Sequence, residues 1–82
     1  MTEEELIEEA KELGRLFFSD EEIMEILEIT QLSPKLERAI RGSRLLSEAK
    51  IRKSIVDLAN NGSSVAQTYA VKMIESLKRK NY

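Results

Sequence analysis

Residues 18–42 read FSDEEIMEILEITQLSPKLERAIRG, and two helix starts can be placed in that stretch from local chemistry alone. Ser19 and Glu22 form a capping box, in which the serine oxygen takes the N3 amide and the glutamate reaches back to the cap amide. Phe18 stands at N′ and Ile23 at N4, the positions of a hydrophobic staple. The spacing therefore predicts a helix from Asp20 to about Glu28, with Ile23, Met24, Ile26 and Leu27 as its buried face. Ser33-Pro34 gives the second start as N-cap and N1, because proline lacks only an amide that would be unpaired there. A short helix should follow, with Gly42-Ser43 as a C′ interruption.

Upstream, Thr2 and Glu5 form another capping box. Leu6, Ile7, Ala10, Leu13, Gly14 and Phe17 recur at three- and four-residue spacing, which predicts a first amphipathic helix. Downstream, Arg44 to Asn60 carries Leu45, Leu46, Ala49, Ile51, Ile55, Val56, Leu58 and Ala59, the pattern of a long core helix with a broad apolar face. Asn60-Asn61-Gly62 is a stop signal, and Ser64 with Gln67 forms a capping box directly behind it. The last helix presents Val65, Ala66, Tyr69, Ala70, Met73, Ile74 and Leu77, and ends in Lys78-Arg79-Lys80, cations suited to the negative end of a helix dipole. No segment alternates with the period of a strand. The expected fold is all-α, about five short helices in one helical domain over 1–82: a helix-turn-helix at 19–42, then an antiparallel helical hairpin at 44–80.

At 82 residues the chain can bury only roughly 60–65% of the surface its unfolded form exposes, so self-association is an expected source of extra stability. It contains neither cysteine nor histidine, which removes the thiolate and imidazole ligands of zinc, the cysteine nucleophile and the commonest general base. No metal and no cofactor is expected. Residues 1–12 lack the features of a secretory signal, and no apolar run approaches the ~20 residues of a membrane span, so a cytoplasmic location without membrane contact is expected. Two strings match catalytic or processing patterns. Ser47-Glu48-Ala49-Lys50 fits Ser-x-x-Lys but lacks the large scaffold and further motifs that chemistry needs, and Asn61-Gly62-Ser63 is a glycosylation sequon without evidence of secretion. The expectation is a protein that is not an enzyme.

The net charge of −2 hides a segregation. Residues 1–28 hold eleven acids against Lys11 and Arg15, a balance of −9, whereas residues 29–82 hold eleven bases against four acids, a balance of +7. On the third helix Leu36, Ala39 and Ile40 fall on one face at 100° per residue, and Lys35, Arg38 and Arg41 gather on the opposite one. A helix docked by its apolar side would present those three cations outward, suited to phosphates and base edges, which is the layout of a DNA-binding helix-turn-helix. Arg44, Lys50, Arg52 and Lys53 extend the basic character and complete the set of expected DNA contacts.

The order of features resembles the small subunit of phage DNA-packaging terminases and related phage helix-turn-helix proteins, from about Leu13 to Leu77. The similar residues are Phe18-Ser19-Asp20-Glu21-Glu22-Ile23, Ala39-Ile40-Arg41-Gly42, Glu48-Ala49 with Arg52, and Leu58-Ala59-Asn60-Asn61-Gly62 with Ala66. The chain departs from the family pattern in lacking an aromatic residue in the recognition helix and the glycine of the turn, where Glu28 stands. What the resemblance implies is a non-catalytic homo-oligomer, of phage or prophage origin and acting in the host cytoplasm, that binds DNA and hands it to a separate packaging ATPase. The alternative is a helical protein–protein interaction module that does not bind DNA. Association could be head-to-tail, with Glu4, Glu8 and Glu12 meeting Arg52 and Lys53 of a neighbour, or an apolar two-fold dimer through the last helix.

Overall fold

A computed structural model describes residues 2–81, with side chains as far as residue 79. Four helices follow one another: α1 (Glu3–Arg15), α2 (Asp20–Leu27), α3 (Pro34–Asn60) and α4 (Ser64–Asn81). No strand occurs among the described residues, in accord with the all-α expectation. The chain divides into two compact units, Met1–Glu48 and Ala49–Tyr82.

The expected five helices are four, because Gly42 does not end a helix. It lies inside α3, and its φ is not positive. One glycine costs a helix interior only about 1 kcal/mol relative to alanine, and the next residue ties this turn together, since the Ser43 hydroxyl is buried and donates to Ile40 O at 2.8 Å. Three of the four starts fall where the sequence puts them. Thr2 accepts the Glu5 amide at 3.1 Å. Ser19 accepts the Glu22 amide while the Glu22 carboxylate accepts the Ser19 amide, so this capping box is complete. Ser33 accepts the Leu36 amide ahead of Pro34. The cap of α4 is Ser63 rather than Ser64, because Ser63 Oγ accepts the Ala66 amide at 3.2 Å. Gln67 then turns back to donate to Ala59 O across the turn.

In the first unit Ala10, Ile23, Leu36 and Ile40 form the core, with Leu6, Ile7, Leu13, Phe18, Leu27, Ile29 and Leu32 packed around them. Two corners close this unit by the same device. Phe17 (φ 64°) and Glu28 (φ 57°) both adopt the left-handed conformation although neither is glycine. The next amide in each case returns to the preceding helix, Phe18 N–H to Leu13 O and Ile29 N–H to Met24 O. This is the hydrogen bond of a Schellman ending. The left-handed geometry costs roughly 1–2 kcal/mol in a residue with a Cβ. Docking of Phe18 and Ile29 on the core offsets it. Glu28 thus turns the chain sharply out of α2 in a conformation more usual for glycine. Ile26, expected to be buried, is 51% exposed, and Phe17 also leaves the predicted stripe.

The second unit departs further from expectation. Ala66 is the one buried residue among its described positions, with Ile55, Ala59, Ala70 and Met73 half-buried. Ile51, Val56, Leu58, Val65, Tyr69, Ile74 and Leu77 are exposed, as are Leu45 and Leu46 at the end of the first unit. Most of the broad face expected to make a core therefore lies open to solvent, Ile55 and Ala59 being its half-buried members. Gly62 has φ 97° between α3 and α4, as a glycine after a helix end should. The Lys80 side chain, expected in the basic terminus of the last helix, lies outside the described residues.

Candidate nucleic-acid interface

The N-terminal part of α3 is oriented by its own sequence pattern. Leu36 and Ile40 are buried and Ala39 is half-buried, so the opposite side, with Lys35, Arg38 and Arg41, faces solvent. Lys35 makes an exposed ion pair with Glu3 of α1 at 3.7 Å, a contact that solvent screens strongly. The side chains of Arg38 and Arg41 have no ion pair or hydrogen bond among the described residues.

Arg44 is engaged within the fold. Its guanidinium donates to Phe18 O at 2.6 Å and to Asp20 Oδ1 at 2.8 Å, and the side chain is only 29% exposed. It fastens the corner between α1 and α2 to α3, and any DNA contact through it would compete with that fastening. Ser47 has a similar task, since its hydroxyl donates to Arg15 O at 2.9 Å. That bond satisfies a carbonyl in the last turn of α1, where helical partners run out. The serine of the Ser-x-x-Lys string is thereby a structural tether.

Lys50, Arg52 and Lys53 are all exposed and lie on α3 within the second unit. Lys53 pairs with Asp57 one turn on at 2.8 Å, and that hydrogen bond, with the attraction of the carboxylate, raises the lysine pKa above its ordinary value. The lysine keeps its charge.

No known protein family, curated protein or solved structure matches the chain. Function is therefore read from its side chains.

Two cations outside the expected set belong to the first unit's basic surface. Lys11 and Arg15, the only bases among residues 1–28, lie on the side of α1 that meets α3. Together with Arg38, Ala39, Gly42, Ser43 and Leu46 they line a shallow groove of about 310 Å³. Their i, i+4 spacing in an otherwise acidic helix was the available signal. That Arg38 shares their groove depends on how the two helices pack. α1 runs parallel to the start of α3: Glu3 meets Lys35, Gly14 abuts Ser43, and Arg15 O meets Ser47. Four of the six acids of α1, Glu4, Glu5, Glu8 and Glu9, gather around a separate depression. Among the described residues no group of three or more His, Cys, Asp or Glu could hold a metal ion, and no helix is long and apolar enough to cross a membrane.

Proposed function

We propose that this chain is a non-catalytic DNA-binding protein whose helix-turn-helix comprises α2, the connection 28–33 and the first turns of α3. The observation that carries this reading is the outward face of Lys35, Arg38 and Arg41, set opposite the buried Leu36 and Ile40. Cations fixed on a docked helix supply phosphate contacts and leave guanidinium forks for base edges. Glu28 supports the motif as well, since its left-handed conformation makes the sharp exit from α2 that a glycine would otherwise provide. The narrower form of the proposal is a phage or prophage packaging component similar to a terminase small subunit, acting as a homo-oligomer in the host cytoplasm beside a packaging ATPase.

Fluorescence anisotropy with a labelled duplex at about 50 and 200 mM salt tests the reading. Arg38→Ala with Arg41→Ala should weaken binding to all sequences and lower the salt slope by about 0.9 for each phosphate no longer neutralised. Equal, weak binding by wild type and variant would overturn it.

A second reading has its own support. The exposed apolar residues of the second unit fit a protein partner better than a polyanion, which is the surface expected of an interaction module. Absence of DNA binding at low salt, together with capture of a defined protein partner, would place this reading first.

A further inference from the structure

We infer that the groove between α1 and α3 is a seat for one backbone phosphate of the bound DNA, held by Lys11, Arg15 and Arg38 over the bare backbone of Gly42. The inference rests on the DNA-binding reading and extends it from the outward face of α3 to α1, a helix whose overall charge argues against any contact with a polyanion.

Three of the seven groove residues are cations, and none of the chain's fifteen acids is among them. The acidic segment has two bases, and both line this depression. Glu8 and Glu12, the partners of Lys11 and Arg15, approach from one turn back along α1 and are about two-thirds exposed. They balance two of the three cations from outside the groove. Such pairs are weak and screened, so the cations can turn inward toward a better anion. Arg38 has no ion-pair partner among the described residues.

Ala39 and Leu46 are apolar, and the Ser43 hydroxyl is already engaged with Ile40 O, so the cations are the groove's polar anchors. A Cβ built on Gly42 would meet nothing within 4 Å, which leaves open space over the α3 backbone. The volume lies at the lower end of small-ligand clefts, roughly 300–1,000 Å³. It is larger than a single small ion requires and suits a phosphate with its flanking sugars. Arg38 belongs both to this groove and to the outward face of α3, so a strand seated there would lie along that face.

The experiment is the same anisotropy titration, with circular dichroism confirming that each variant is folded. Lys11→Ala with Arg15→Ala should lower the salt slope by up to about 0.9, Arg38 remaining, so that the fall in affinity between 50 and 200 mM salt shrinks by up to about threefold. Gly42→Glu should weaken binding, whereas Gly42→Lys, of similar bulk and opposite charge, should strengthen it and steepen the slope. An unchanged slope for the Lys11/Arg15 variant, or equal weakening by Gly42→Glu and Gly42→Lys, overturns the phosphate seat and leaves the DNA-binding reading standing. Failure of the wild-type protein to bind at low salt overturns both.

Discussion

At Gly14 an added Cβ would overlap Ser43 Oγ and lie 3.0 Å from the Ile40 carbonyl, so α1 and α3 approach as closely as a hydrogen side chain allows. The carbonyl belongs to the backbone and cannot swing aside. Gly14→Ala should therefore destabilise the first unit by about 1–3 kcal/mol, as overpacking of a close contact does. Gly42 is the opposite case: its Cβ would meet nothing and its backbone is helical, so Gly42→Ala should stabilise by about 0.5–1 kcal/mol. Gly62 owes its identity to backbone geometry, and Gly62→Val, with φ at 97°, should cost on the order of 1–3 kcal/mol. Thermal melts of the three variants check the set. A shift of about 4–8 °C per kcal/mol makes the differences measurable in a domain this small. Equal midpoints for Gly14→Ala and Gly42→Ala would contradict the helix contact.

Among the elements, α2 depends most on its ends, being eight residues long with three acids in its first turn. The Ser19 amide, donating at 2.9 Å, and then the Ser19 side chain hold the Glu22 carboxyl below its ordinary pKa. A folded pKa below the unfolded one adds stability that is fully present above the ordinary carboxylate range. That stability is lost as pH falls through the lowered folded value. Glu22→Gln keeps an acceptor for the cap but cannot titrate, so its thermal midpoint should fall less than that of wild type between pH 7 and pH 3. Parallel profiles would show that the carboxylate is not held by the cap. The corner after α2 could not be read as left-handed from sequence, because Glu28 carries none of the marks of glycine or asparagine. Its conformation is imposed by Ile29 docking on the core, a contact made outside the helix.

For the whole molecule, the most consequential feature is the apolar surface of the second unit. Monomeric proteins rarely leave contiguous apolar patches of large size, and two helices with one buried alanine between 49 and 79 have little core of their own. The local pairing of Glu8, Glu12 and Lys53 weakens the case for a head-to-tail assembly held by charge. Association through apolar residues such as Val65, Tyr69 and Ile74 is accordingly the expected mode. Light scattering after size exclusion should give a mass above the monomer that holds or increases as salt rises, since added salt screens charge and does not weaken apolar burial. A monomer mass at high protein concentration in both low and high salt would refute this. A complex that dissociates as salt rises would restore the electrostatic alternative.

What the sequence determined by itself lies within about four residues of its cause. The caps at Thr2, Ser19 and Ser33, proline at the start of α3, the turn at Gly62 and the sidedness of Lys35, Arg38 and Arg41 all follow from local hydrogen bonds, fixed φ or helical period. Gly42 misleads for the same reason, since a glycine that could end a helix looks locally like one that lets a helix continue. Tertiary structure alone decided the rest. It joined Arg44 to the carbonyl of Phe18 and to Asp20, brought Lys11 and Arg15 beside Arg38, and left Ile51, Leu58, Val65 and Tyr69 exposed although their spacing suited a core. The physical reason is that helical period fixes which residues share a face, while what that face meets depends on elements tens of residues away along the chain.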